Sequence, residues 1–434
     1  MVESKSSQRL LWAILGLALF IRLIVLILNG WTALPSTGGD EFWYLVNGQG
    51  LFSSEPTGFA LGYPYAANNL GVAPLYLIFN GAMQTIFGYL PALGAIRFTQ
   101  IIMSVMVCYF AYDLGRLLTH DVRVGFVAGL AMAISIVWVI EPLNIMTETL
   151  YITLTSAGIW CYCRWIMNQL EISHWSIAVI IGILLGLATL TRAVGILFPI
   201  GIMGHVIFAA GRPYWKKGLQ IACIILVSYG LVISTWTVYN LVRYERFIIV
   251  SNQFFPTLWR GATEEDGSPS ENDTLLGDQT AQEQSTKIIA SDPTAYIALR
   301  TRELIGAYLQ PHGTLAFGGE SLKALAQDWV QSGFSINSLQ RMVTAESFVP
   351  KLLIYIWHYG ALVGGIIGMW LTRQQWRVSL VLIGFIAYTT LLHFILQALP
   401  RYMFPTYVFY MIFASVTVIT VWDLFMGQNK KEAT

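Results

Sequence analysis

Residues 10–29 read LLWAILGLALFIRLIVLILN, and one charge, Arg22, is all that interrupts them. As a helix this run rises about 30 Å, the thickness of a bilayer's hydrocarbon core. Lys5 and Arg9 precede it and no small-residue cleavage site follows, so it predicts an uncleaved signal anchor. The rest of the chain repeats the signal. Of 434 residues 56% are apolar and only 11% charged, against roughly 25% charged in soluble domains. The mean hydropathy is +0.60. The chain therefore reads as an all-α polytopic membrane protein. Its net charge of +1 and lack of a basic tract give no support for nucleic-acid binding.

Further apolar runs of spanning length fall at 95–115, 123–140, 144–165, 176–191, 193–210, 219–240, 352–372, 378–397 and 403–424, making about ten. Residues 74–90 are apolar but broken on one helical face by Asn80, Gln84 and Thr85, the pattern of an interfacial helix. With a cytoplasmic N-terminus, the inner segments hold twelve Lys/Arg (Lys5 and Arg9 through Arg373, Arg377, Lys430 and Lys431), while short outer connections hold three. That bias fits the positive-inside rule, and an eleventh span at 74–90 would invert it. Five regions follow: a first transmembrane helix (1–29), an outer loop with interfacial helices (30–92), helices two to seven (93–242), an outer helical cap (243–350), and helices eight to ten with a cytoplasmic tail (351–434).

The cap carries thirteen acids against eight Lys/Arg. Within it Asp292 reads as an N-cap, Pro293 as the first helical residue and Pro311 as the stop. Asn272-Asp273-Thr274 is a sequon that chance explains equally well. Glycines at 182 and 186, and at 360, 364 and 368, have the spacing of close helix contacts. The four cysteines, Cys108, Cys161, Cys163 and Cys223, lie in apolar runs and read as buried, inert thiols. His205, His393, Arg22 and Asp113 read as structural.

The informative charges gather near the outer ends of spans: Asp40 and Glu41 in STGGDEFWY, Arg97, Glu148, Arg192 and Arg401. Charge at the membrane is costly, so each needs a partner or a task. One reading is mutual neutralisation, such as an Arg97–Glu148 staple, with Asp40 capping a helix that begins at Glu41. The other is chemistry. Guanidinium groups at that depth suit the phosphate of a lipid, and a carboxylate beside it can deprotonate an acceptor hydroxyl.

Asp40-Glu41-x-x-Tyr44 after the first span resembles the first outer loop of GT-C glycosyltransferases, nearest the protein O-mannosyltransferases and the lipid A aminoarabinose transferase. The likeness continues through APLYLIF (73–79), AIRFTQ with Arg97, MTETLY with Glu148, LTRAVGIL with Arg192, WTVYNLVRYERFIIVS, and LPRYMFPTY with Arg401 and Tyr402. The resemblance implies inverting transfer of a sugar from a polyprenyl phosphate, with Asp40 as catalytic base and Glu41 beside it. Tyr44, Arg97, Glu148, Arg192, Arg243, Arg401 and Tyr402 would bind substrate. Two departures stand out. GVAP (71–74) lacks the basic residue often found ahead of Pro74, and Trp236-Thr237-Val238-Tyr239-Asn240 replaces Trp-x-x-Arg-Asn; Arg243 or Arg246 lies just beyond.

The implied partners are a polyprenyl-phosphate sugar, membrane lipids and a lipid, glycan or protein acceptor. The implied place is the cytoplasmic (inner) membrane, with the site on its outer, periplasmic face. No cofactor is expected; a divalent cation on Asp40, Glu41 and Glu148 is conceivable but not obligatory. The alternatives are a flippase or transporter of lipid-linked sugars, and an enzyme of the O-antigen ligase or polymerase type. Charges crowded on one face beneath a long cap fit a transporter poorly, since that class places ionisable groups near the midplane.

Overall fold

The computed structural model describes residues 5–35, 39–51, 72–167, 175–263 and 278–432. Among these the regular structure is helical throughout. The sequon at 272–274 lies outside the described residues.

α1 (Lys5–Asn29) is the run quoted above. The short α2 (Asp40–Leu51) and α3 (Leu75–Phe87) follow, then the long α4 (Tyr89–Thr119). At 13 residues, α3 rises only about 20 Å and cannot span. Thr85 on its polar face is exposed, but the other two polar residues are not. Asn80 and Gln84 are buried, and Gln84 donates to the Leu45 carbonyl of α2 at 2.9 Å. The two backbones touch there, since a Cβ on Gly48 would lie 2.9 Å from the Leu77 carbonyl oxygen. Leu45, Tyr76, Leu93, Ile96, Ile145 and Leu150 form a small apolar core that seats α2 on its neighbours.

α5 (Val122–Ile134) and α6 (Ile136–Ile140) are one apolar run broken by 61° at Ser135. A 310 turn over Glu141–Leu143 ends it. α7 (Thr147–Met167), α8 (Trp175–Thr191) and α9 (Phe198–Tyr244) come next. The 47 residues of α9 would rise about 70 Å, over twice a bilayer core. It is two legs. Gly211 adopts φ 70°, two residues before Pro213, a left-handed turn that glycine takes without a Cβ clash. A Cβ on Gly218 would then lie 3.0 Å from the Ala210 Cβ, so the chain folds back on itself.

The cap comprises α10 (Phe254–Thr263), α11 (Asp278–Ser291), α12 (Pro293–Leu309), α13 (Leu322–Gln331) and α14 (Ile336–Val343). Asp292 caps α12 as expected, accepting from the Ala295 N–H at 2.9 Å. The last elements are α15 (Phe348–Leu371), α16 (Trp376–Ile395), α17 (Pro400–Met403) and α18 (Tyr407–Glu432). The cap is tied to α15 and to the chain after α16. Arg300 donates to the Leu396 carbonyl at 3.0 Å, Tyr359 to the Leu309 carbonyl at 2.8 Å, and Lys351 to the Gly318 carbonyl at 2.8 Å.

Six described helical stretches are long and apolar enough to cross a membrane, and the bent α5–α6 pair makes a seventh. Of the ten expected spans, 193–210 and 219–240 are the two legs counted as one stretch, and α7 and α8 fall short of that measure. α8 has only 17 residues. α7 carries buried Thr147, Glu148, Thr149, Thr153, Thr155 and Ser156, an inward polar face that dilutes its hydropathy.

The close-contact glycines are mostly confirmed. A Cβ on Gly182 would reach 2.5 Å from the Ile225 carbonyl oxygen, and Gly364 and Gly368 face α18. Gly360 meets nothing within 4 Å; Gly365, against Tyr410, takes that place. All four cysteines are free. Cys108 and Cys163 are buried, but Cys223 is exposed on α9, because its face of the helix has no protein neighbour. Asp113 is held by Arg116 at 2.6 Å and by Trp160 Nε1 at 2.8 Å, and His205 Nδ1 by the Tyr162 hydroxyl at 2.6 Å.

Candidate active site

α4 and α7 separate two charged layers. Arg97 and Arg116 on α4 lie about 28 Å apart by helical rise, and Glu148 and Arg164 on α7 about 24 Å. The layer holding Arg97 and Glu148 is the one the cap covers.

Four acids and four basic side chains meet in that layer. Asp40 opens α2, one residue earlier than expected, and its carboxylate does not cap the helix. Its Oδ2 accepts instead from Arg401, 361 residues away, at 2.6 Å. Both side chains stay accessible, Arg401 37% and Asp40 57% exposed. The cation arrives through Pro400, which starts the single turn of α17.

Glu148 sits in the first turn of α7, where the helix dipole favours an acid. Its partner is Arg192 at 2.8 Å, with 3% and 13% of the side chains exposed. That corrects the Arg97–Glu148 staple. α8 ends at Thr191, and the extended backbone of Arg192 (φ −145°, ψ 118°) turns its side chain inward. The Arg192 guanidinium lies 5.4 Å from the centre of the Tyr402 ring, and that of Arg401 lies 5.3 Å from the same ring. Two cations thus share one aromatic ring. Tyr402 stacks in turn on His393 at 4.8 Å.

Arg97 is spent on carbonyl oxygens: Leu143 at 3.0 Å, Trp31 at 3.2 Å and Ala33 at 2.7 Å. It stitches α4 to the loop after α1 and the loop after α6. Glu41 accepts from the Ile145 N–H at 2.6 Å. Burial pushes its carboxyl above the usual range, although that N–H and the Arg97 charge pull the other way. Tyr44 packs edge-on against Tyr76, ring centres 5.2 Å apart. It feels the charges of Glu148, Arg192, Asp40 and Arg401, and burial pushes its phenol up to about 12, so it is neutral at physiological pH. The Arg243 side chain lies outside the described residues. Asp40, Glu41 and Glu148 do not converge as metal ligands, each facing its own partner. Among the described residues no group of three His, Cys, Asp or Glu side chains forms such a set.

Two members of the layer escaped the sequence reading. Glu141 ends the broken span, 3% exposed, and meets His312 of the cap at 2.9 Å. The acid in IEPLN and the histidine after Pro311 were the available signals, but each looks like an ordinary span-end or loop residue. Burial lowers the His312 pKa, yet Glu141 and Glu148 outweigh it, so the net shift is upward from 6.5. A histidine raised on folding stabilises fully below its unfolded pKa, about 6.5, and loses that contribution as pH rises through the higher folded value. The stability difference between wild type and His312→Gln should therefore be largest at pH 5.5–6 and shrink toward pH 9 in thermal unfolding. A difference that grows with pH would place the proton elsewhere.

Comparison with solved structures decides the fold. The chain superposes on the archaeal oligosaccharyltransferase AglB of Archaeoglobus fulgidus, in a complex with an inhibitory peptide and a dolichol-phosphate, with a TM-score of 0.57 at 15% identity. The match covers 99% of this chain and 52% of that one. The apo form of the A. fulgidus enzyme gives 0.56 at 14% identity, covering 99% and 52%. Its complex with Zn and sulfate gives 0.55 at 14%, covering 95% and 49%. This is a GT-C fold. The chain spans about half the length of the GT-C structures it matches. Residues 72–242 also match the family model described as dolichyl-phosphate-mannose-protein mannosyltransferase. Within that GT-C match fall Arg97, Glu141, Glu148 and Arg192; Asp40, Glu41, Arg401 and His312 lie outside it. No curated protein is matched by the sequence.

Proposed function

We propose that the protein transfers a sugar from a polyprenyl-phosphate carrier to an acceptor hydroxyl at the outer face of the membrane, with inversion at the anomeric carbon. The observation that carries this reading is the Asp40–Arg401–Tyr402–Arg192 arrangement. It places a solvent-accessible carboxylate beside two guanidiniums that converge on one ring. The GT-C fold and the mannosyltransferase match over 72–242 support it.

With His312 protonated, each described cation of the layer already has a partner: Arg401 has Asp40, Arg192 has Glu148, His312 has Glu141, and Arg97 has three carbonyls. A phosphate bound by one of these described cations must therefore displace a partner it already has. Arg401 is the most accessible of the cations paired to a carboxylate here. When the phosphate takes Arg401, Asp40 is released. The acceptor oxygen then attacks the anomeric carbon while Asp40 removes its proton, and the bond from that carbon to the phosphate oxygen breaks. The electron pair leaves on the lipid phosphate, whose charge Arg401 and Arg192 balance. Glu148 holds Arg192 in place, and Glu41 anchors α2 to the loop after α6. The acceptor is a lipid, a glycan or a protein hydroxyl.

The test is turnover in proteoliposomes with dolichyl-phosphate mannose, and polyprenyl phosphates bearing other sugars, as probe donors. Transfer predicts free lipid phosphate in step with sugar lost from the lipid; a transporter would deliver the donor intact to the other leaflet. The outer placement is checked in a cysteine-free background. Lys287→Cys in the cap should label with an impermeant thiol reagent in intact cells, and Gln374→Cys only after permeabilisation. The reverse pattern would move the site to the inner face.

A further inference from the structure

Arg22 is wholly buried in α1, and its acceptors are uncharged. Nε donates to Ser104 Oγ at 2.8 Å. Nη1 reaches the carbonyls of Ala18 and Ala133, each at 3.0 Å. Nη2 reaches those of Met132 at 3.3 Å and Trp138 at 3.1 Å, and approaches Cys108 Sγ at 3.9 Å. An arginine this deep is costly unless something there requires it.

Three of those carbonyls have no helical partner, two because of the break between α5 and α6 and one because of Pro142. Met132 and Ala133 lie in the last turn of α5, whose final carbonyls have no intrahelical donor. Trp138 would bond to the amide of residue 142, but that residue is Pro142 and has none. In an apolar surround each unpaired carbonyl costs several kcal/mol. The guanidinium fork therefore serves as the cap of a broken span. Ser104 completes it, donating to the Trp138 carbonyl at 3.3 Å.

The outer half of that span leads directly into the layer that holds the site. Leu143 receives Arg97 at 3.0 Å, Pro142 and Asn144 receive Gln100 at 2.9 and 2.7 Å, Glu141 meets His312 at 2.9 Å, and the Ile145 amide holds Glu41 at 2.6 Å. Every one of these contacts depends on where the chain goes after the 61° break.

We propose that Arg22 is a positioning residue for transfer: by clasping the break it sets the place of loop 141–145, and through Glu41 the place of Asp40. The catalytic half of this claim rests on the function proposed above; the clasp does not. The test is hydrogen–deuterium exchange of segment 139–146 in purified, substrate-free protein, compared between wild type, Arg22→Lys, Arg22→Met and Ser104→Ala. Lysine keeps the charge but not the fork, and Ser104→Ala removes one strand of the clasp at little cost to the core. Exchange in 139–146 should rise at least about tenfold in Arg22→Lys and less in Ser104→Ala, with segments of α15 and α18 unchanged. In parallel, the turnover number with dolichyl-phosphate mannose should fall about tenfold while dolichyl-phosphate binding stays within about twofold. Unchanged exchange in 139–146, or an equal rise throughout the protein, would overturn the clasp. Altered exchange with normal turnover would overturn the positioning role. Absence of turnover in the wild type would count against the proposed function and leave the exchange result to decide the clasp.

Discussion

Glu148→Gln is expected to lower stability by about 3–5 kcal/mol, because it leaves the Arg192 guanidinium buried without its counter-ion. The pair is close, 2.8 Å, and largely shielded, with 3% and 13% of the side chains exposed. Arg192→Met should cost a similar amount by stranding the carboxylate. The double change Arg192→Met/Glu148→Met should recover most of the loss, since a buried ion pair replaced by apolar groups of similar volume is often near neutral. Function should not recover with it. If Arg192 holds the lipid phosphate, the double variant folds but binds dolichyl phosphate weakly. Arg192→Lys should bind weakly too, having lost the planar fork and the stacking on Tyr402. Thermal unfolding and dolichyl-phosphate binding on the same preparations check both halves. A stable double variant with unimpaired binding would reduce the pair to a staple between α7 and α8.

The elements were legible where their cause is local. The apolar run at 10–29, the interruption between the runs 193–210 and 219–240, and the Asp292–Pro293 start of α12 all follow from adjacent residues. The pairings were not. Asp40 and Arg401 are 361 residues apart, and no periodicity in either segment points to the other. Glu148 takes Arg192 and not Arg97, because the end of α8 swings one guanidinium inward while three carbonyls consume the other. The polar residues of α3 suggest an interfacial helix, yet Asn80 and Gln84 are buried and Gln84 bonds to α2. The bend at Ser135 has no glycine, and its arginine clasp comes from a helix more than a hundred residues earlier.

Asp40→Asn carries the largest expected effect on rate. General-base assistance contributes about 10²–10⁴-fold, and asparagine keeps the shape of the side chain while removing its basicity. The lost ion pair with Arg401 is partly exposed, and pairs of that kind contribute only about 0–1 kcal/mol. Folding should therefore survive, and freeing Arg401 should leave donor binding intact or slightly stronger. Glu41→Gln should be milder. Its carboxyl is already pushed toward the neutral form by burial, and glutamine retains a carbonyl for the Ile145 amide. The decisive measurement is single-turnover transfer from a lipid-phosphate sugar by wild type, Glu41→Gln and Asp40→Asn, with dolichyl-phosphate binding measured on each. The prediction is a fall of about 10²–10⁴-fold for Asp40→Asn at unchanged or tighter binding. Transfer by Asp40→Asn at the wild-type rate would contradict it, leaving Asp40 as no more than the surface partner of Arg401.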